Sequence, residues 1–188
     1  MPKLWNETIE EHRRAVHEAT LDAAATLAAE QGLHSITMVS IAEKTGISRA
    51  TLYKYFPSVE SILLAWHERH VQGHLEFLAT VRDGSVGAQQ RLAAVLKAYA
   101  FLSYSPHIGE IASFLHRGAH FAHAQERVDA LIRDLIVEGV AAGAVRSDLP
   151  PDELVGFCLH ALTAAKPPTN EVIHRLVRVI LDGMSVPR

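Results

Sequence analysis

An all-α fold follows from three features of this 188-residue sequence. Apolar residues recur at helical spacing in one segment after another, Thr37, Ser48 and Ser58 stand where helices need N-caps, and glycine or proline closes most segments. The length suffices for one generous domain or two small ones sharing a core. About nine helices are expected: a three-helix unit at residues 1–57, then a larger helical bundle at residues 58–188.

The first helix spans residues 6–31 and ends at Gly32. Its inward stripe is Ile9, Val16, Ala19, Ala23 and Leu27, with Glu10, Glu11, Arg14, Glu18 and Asp22 largely outside it. Thr37 then caps a short helix over residues 38–44, in which Val39, Ile41 and Ala42 pack inward. Gly46 supplies the bend, Ile47 plugs the angle, and Ser48 caps a second short helix over residues 49–55. This is a helix-turn-helix pattern.

In that second helix Leu52 and Phe56, four apart, face inward. Arg49, Thr51, Tyr53, Lys54 and Tyr55 are left with nowhere apolar to go, and they can bond phosphates and reach base edges. A plain helical hairpin with a solvated face is the simpler alternative. Up to Phe56 the bases are Lys3, Arg13, Arg14, Lys44, Arg49 and Lys54, outnumbered by Glu7, Glu10, Glu11, Glu18, Asp22, Glu30 and Glu43, and the whole chain has a formal net charge of -3. Affinity for nucleic acid therefore depends on where a few cations sit, and two such units acting together are expected.

The run T-M-V-S-I-A-E-K-T-G-I-S-R-A-T-L-Y-K-Y-F at residues 37–56, preceded by a long helix ending in glycine, resembles the tetracycline-repressor (TetR) family of bacterial regulators. The resemblance covers about the first third of the chain. Beyond it, only the helix pattern and E-G-V-A-A-G-A-V-R-S-D-L-P-P-D-E-L at residues 138–154 are similar to later parts of many members. It implies phosphate contact by Thr37, Tyr53 and Tyr55, and base-edge readout by Arg49, Ala50, Thr51 and Lys54, with the cap Ser48 counted among them. Ala50 can touch a thymine methyl but cannot donate a bond. Two positions depart from the family. Val59 stands where members commonly carry a phosphate-binding lysine, leaving Ser58 to cap the fourth helix and bond phosphate, and Val39 stands where some use a base-contacting side chain.

The fourth helix spans residues 58–83. Leu63, Leu64, Val71, Leu75, Phe77, Leu78 and Val81 share one arc, and His67, His70 and His74 fall inside it. Buried imidazoles need partners or a polar cavity. A small-molecule pocket is the favoured expectation, with His67, His70, His74, Phe77, Tyr99 and Phe114 as its lining; satisfied core histidines and a metal site are the alternatives. The pairs His67 with His70 and His116 with His120 have ligand-like spacing, yet no carboxylate completes a set, so no metal and no cofactor are expected.

Residues 89–104 form a fifth helix carrying Leu92, Val95, Leu96, Tyr99 and Phe101, and residues 108–117 a sixth carrying Ile111, Phe114 and Leu115. His116, His120 and His123 mark a solvated corner beside Gly118 before a seventh helix at residues 125–143. The last two, at residues 152–165 and 171–184, are divided by Pro167 and Pro168. The former is apolar almost all round, through Leu154, Val155, Phe157, Leu159 and Leu162, and needs cover from a second chain. A homodimer closing as a four-helix bundle through these two helices is expected, as the resemblance also implies.

The one cysteine, Cys158, excludes an internal disulfide and a cysteine zinc cage and sits in an apolar run. No secretory segment or span-length apolar stretch occurs, so a cytoplasmic protein is expected, with no membrane partner. Nor is there a nucleophile and base at a recognisable spacing, a glycine-rich phosphate loop or paired buried acids, which speaks against an enzyme. The expectation is a repressor whose homodimer binds palindromic double-stranded operator DNA and is released by a small-molecule effector. A helical protein-interaction module is the alternative, and it leaves Arg49, Thr51, Tyr53 and Lys54 unexplained. Effector, operator and regulated genes are not written in the sequence.

Overall fold

The computed structural model describes residues 3–104, 119–166 and 168–186. These residues form eight α-helices, α1 (Lys3–Gln31), α2 (Met38–Thr45), α3 (Arg49–Tyr55), α4 (Val59–Asp83), α5 (Ala88–Ser103), α6 (Ala119–Ala141), α7 (Pro151–Leu162) and α8 (Asn170–Met184), and a short 3-10 turn at Leu33–Ser35. The all-α expectation holds. The helix expected at residues 108–117, with Phe114 and His116, lies outside the described residues.

Two compact units are present: the described residues up to His70 make the first, and those from Val71 onward the second. In the first, α1 packs on α2 and α2 on α3. Their shared core is Leu21, Ala23, Ala24 and Leu27 from α1, Met38, Ile41 and Ala42 from α2, Leu52 and Phe56 from α3, and Ile62 and Leu63 from the start of α4. Burying these side chains is the chief source of the unit's stability, at about 1.5–3 kcal/mol for each large one.

Several inward expectations are corrected here. Val39 is 42% exposed and Met38 takes its place in the core. Once Thr37 caps α2, residues 38, 41 and 42 share one face by i, i+3, i+4 geometry and residue 39 falls off it. On α1, Ile9 and Ala19 are exposed, as is every residue from Thr8 to Ala15, and burial begins only at Thr20, Leu21 and Ala23. The buried Thr20 hydroxyl is satisfied by donating to the Val16 carbonyl at 2.8 Å.

The second unit packs α5 on α6 and α8, and α7 on α6 and α8. Leu92, Val95, Leu96, Ile132, Leu135 and Ile136 form its centre, joined by Leu154 and Cys158 from α7 and Ile173, Val177 and Ile180 from α8. Phe77, at 50% exposure, and Phe101 point outward, contrary to the expectation for both. On α4 the buried Leu78 sets the inward line, and Phe77 lies a hundred degrees from it. α6 begins at Ala119, so His120 and His123 sit in a helix and not in the expected loop. α7 stops at Leu162, short of the expected residue 165, and Phe157 is 46% exposed. Among the described residues, no helix is long and apolar enough to cross a membrane.

Candidate nucleic-acid interface

The helix-turn-helix is assembled by side-chain caps. The Ser40 amide donates to Thr37 Oγ1 at 3.0 Å, and the Thr37 amide donates to Ser40 Oγ at 3.0 Å, a reciprocal capping box that starts α2. At the other end Gly46 adopts φ 71°, the left-handed conformation that glycine takes without a Cβ clash, and its amide donates to the Glu43 carbonyl. Ser48 then starts α3 by accepting the Thr51 amide at 3.0 Å, and the Ser48 and Thr51 hydroxyls share a bond at 2.8 Å. Ile47 packs against the core between the two helices.

With Leu52 and Phe56 buried, the residues singled out as DNA contacts divide. Thr37, Ser48, Arg49, Ala50, Tyr53 and Lys54 are exposed, while Thr51, Tyr55 and Ser58 are half-buried. Tyr55 packs against the core, so its ring does have an apolar place to go and only the rest of it is available outside. Neither Arg49 nor Lys54 makes an ion pair with a described residue, whereas Lys44 is held by Glu30 at 2.9 Å. The cations on α3 are thus ready for a phosphate or a base edge, and Lys44 is already engaged.

Ser58 caps α4, accepting the Ser61 amide at 3.3 Å while its own amide donates to Ser61 Oγ at 3.2 Å. Its hydroxyl also bonds the Glu60 carboxylate, which holds that carboxyl below its usual range. Val59 packs against the core, so the position that departs from the family's lysine serves packing.

One side chain with a large structural part was missed in the sequence. Arg69, on α4, forks across α1: one guanidinium nitrogen donates to Glu18 and the other to Asp22. Glu18 and Asp22 are one helical turn apart, the spacing a planar fork can span. The Arg69 hydrogen bond holds the Glu18 carboxyl below its ordinary value. The signal available was the i, i+4 acid pair on the outward face of α1, but its partner lies some fifty residues away.

The described residues expected to line a ligand pocket fall in both compact units, His67 and His70 in the first and His74, Phe77 and Tyr99 in the second. His67 is 5% exposed, within the first unit. His70, in the same unit, stacks on Trp66 with ring centroids 5.1 Å apart. Burial first, and the Arg69 charge second, push its imidazole below the ordinary histidine value. In the second unit His74 and Tyr99 are half-buried and Phe77 is exposed; Phe114 is outside the described residues. A cleft of about 280 Å³ in this unit is lined by Arg82, Asp83, Arg91, Leu131, Asp134, Leu135 and Glu138, with Arg91 and Glu138 paired at 2.6 Å. Among the described residues, no group of three or more histidine, cysteine or acidic side chains is placed to hold a metal ion. Burial pushes the Cys158 thiol up to about 12, so it is an unreactive core side chain at neutral pH.

Two family models match the chain. Residues 21–66 match the N-terminal model of bacterial regulatory proteins of the tetR family, and residues 75–186 match the C-terminal domain of SbtR-like transcriptional regulators. The fatty acid metabolism regulator protein of Bacillus subtilis is 22% identical over 144 residues, 73% of this chain and 74% of that protein. Two solved structures share the fold. A TetR/AcrR regulator from Thermobifida fusca has a TM-score of 0.75 at 21% identity, covering 89% of this chain and 97% of its own. The regulator FadR from Bacillus subtilis, in complex with stearoyl-CoA, has a TM-score of 0.71 at 16% identity, covering 89% and 98%. The capped helix-turn-helix with its outward cations and the match over both parts of the chain lead to one conclusion: this protein belongs to the tetR family of bacterial regulatory proteins, as a DNA-binding transcriptional regulator with an SbtR-like C-terminal domain.

Proposed function

We propose that the chain is a repressor that binds a palindromic operator as a homodimer in the cytoplasm and leaves it when a small molecule binds. The observation that carries this reading is the outward face of α3, where Arg49 and Lys54 have no ionic partner among the described residues and Ala50 and Tyr53 stand exposed. In this reading residues 1–57 bind DNA and residues 58–188 bind the effector and the second copy. Arg49, Ala50, Thr51 and Lys54 read base edges, while Thr37, Ser48, Tyr53, Tyr55 and Ser58 hold the phosphates.

The two-fold contact is assigned to α7 and α8, whose outward side carries Phe157 and the 63% exposed Val179, with Gly183 against the Phe157 ring. Two copies of α3 must then be about 34 to 36 Å apart to enter successive major grooves, so a ligand that prefers another spacing lowers operator affinity. The half-buried His70 and His74 and the buried His67, with Phe77, Tyr99 and Phe114, are assigned to the effector site.

A fluorescence-anisotropy titration with the promoter DNA beside the protein's own gene tests the reading. Specific binding that weakens with salt is expected, and Arg49→Ala should lower affinity about 5- to 150-fold, the 1–3 kcal/mol of a bidentate base contact. Stearoyl-CoA, present in a similar structure, is the first effector probe. Binding with no sequence preference, or none, would favour a protein-interaction module. Light scattering should show a dimer that Val179→Glu splits; a wild-type monomer at micromolar concentration overturns the dimer.

A further inference from the structure

α3 is held to the first unit by few side chains. Of its seven residues only Leu52 is buried, and Phe56, the C-cap just after it, is 5% exposed. Leu52 fixes where the helix sits, and Phe56 fixes its direction about that point. At 1.5 Å per residue, Phe56 lies about 6 Å along the helix from Leu52, and Arg49 about 4.5 Å along it on the other side. A displacement of Phe56 therefore swings Arg49 the opposite way by a comparable amount, and a hydrogen bond to a base edge tolerates little of that.

The ring that meets Phe56 from α1 is His17, with centroids 4.9 Å apart and planes tilted by 35°. His17 Nδ1 stands 3.5 Å from Glu18 Oε1, while Glu18 Oε2 accepts the Arg69 hydrogen bond from α4. Consecutive residues of a helix point about a hundred degrees apart, so this pair meets only because the carboxylate lies across toward its neighbour. Arg69 keeps it there, and the other branch of the fork, onto Asp22, keeps the guanidinium in place. A series of contacts within the first unit thus runs from Arg69 through Glu18 and His17 to the end of α3. All three side chains are half-buried and lie outside the apolar core that holds the unit together.

We infer that Glu18 is a positioning residue for DNA reading: with one oxygen on Arg69 and the other toward His17, it holds the His17 ring against Phe56 and so sets the direction of α3. The charge of Glu18 repels phosphate, so any support it gives to DNA binding passes through His17 and Phe56. The consequence for DNA rests on the assignment of α3 as the reading helix, whereas the ring contact does not.

Two measurements on the full-length protein separate the two. In proton NMR without DNA, the ring signals of His17, identified by their loss in His17→Phe, should move toward unfolded-chain values in Glu18→Ala as the ring leaves Phe56. In the anisotropy titration Glu18→Ala should weaken promoter binding about three- to fivefold, opposite in sign to the loss of a repelling charge and with the salt dependence unchanged, since no phosphate contact is removed. In His17→Phe, whose ring can lie on Phe56 by apolar contact alone, the added Glu18→Ala should change affinity less than about twofold. Loss of the Arg69 bond lowers the melting temperature in both backgrounds and is told apart in that way. An unmoved His17 signal, promoter affinity unchanged or raised in Glu18→Ala, or an equal loss with and without His17→Phe overturns the inference. Should the wild type not bind the promoter, the His17 signal alone decides the positioning, and the reading of α3 fails by itself.

Discussion

The two units of this protein hold their helices by different means. In the first, α2 and α3 have eight and seven residues, too short to persist by themselves, and both begin on a side-chain cap, Thr37 or Ser48. Ser58 starts α4 the same way. In the second unit α5 and α7 have sixteen and twelve residues and begin with no side-chain cap bond; Thr169 at α8 is a cap of the first kind. Long helices draw on rows of buried apolar side chains, whereas short ones depend on their ends. The ends of the short helices in the first unit are thus set by local chemistry on top of its buried core, and the second unit relies more on stripes that many sequences could supply.

Core truncation should have the largest effect and should tell whether the units unfold separately. Leu52→Ala in the first unit and Leu135→Ala in the second each remove a fully buried side chain and are expected to cost about 2–5 kcal/mol. Urea titration followed by Trp66 fluorescence, which reports the first unit, and by far-ultraviolet circular dichroism, which reports the helices of both, should show Leu52→Ala losing the first unit at lower denaturant. A single coincident transition in both variants would mean that the contrast is one of construction and not of cooperativity.

Gly139→Ala comes next, at about 1–3 kcal/mol of overpacking against Val145. Val145→Ala in the same chain should recover part of that loss, and thermal melts of the two single variants and the double variant measure the coupling. Caps follow. Thr37→Ala is expected to cost about 1 kcal/mol and Thr169→Ala less, since Ile173, Val177, Ile180 and Met184 bury α8 regardless. Equal losses in chemical denaturation would break the distinction between the units.

The smallest effect expected is the pH dependence from His70. Its folded-state value lies below the ordinary one of about 6.5, so the neutral form is favoured in the fold and the unfolded chain binds the proton more readily. Its contribution is complete above about pH 6.5 and is lost as pH falls through that value toward the folded one. Melting temperatures between pH 7.5 and 5.5 should fall less steeply for His70→Gln than for the wild type.

The same contrast explains what was legible in the sequence. Caps and turns are written in neighbouring residues, so Thr37, Gly46, Ile47, Ser48 and the inward Leu52 and Phe56 stand as expected. Val39 was misplaced because two turns of helix give the periodicity too few points to set its phase. Phe77 was misplaced because an arc wide enough to hold the three histidines also admits residues a hundred degrees off the buried line. The Arg69 fork was invisible, since its partners are distant in sequence and an exposed acid pair on a helix is commonplace. Nor could spacing on α4 tell that the histidines would divide between two units.

The turn between α6 and α7 is tied to the far end of α8: the Arg146 amide donates to the Met184 carbonyl at 2.8 Å, and its guanidinium to the Gly183 carbonyl at 3.2 Å. Cys158 also donates to Met184 Sδ at 3.1 Å within the core. During synthesis these partners do not exist until residue 184 has left the ribosome, whereas the buried core residues described for the first unit have all been made once Leu63 emerges. The described core of the first unit is therefore available early, while the second unit's apolar stripes wait uncovered for their last helix. A nascent chain stalled before α8 should accordingly be the form most dependent on chaperones.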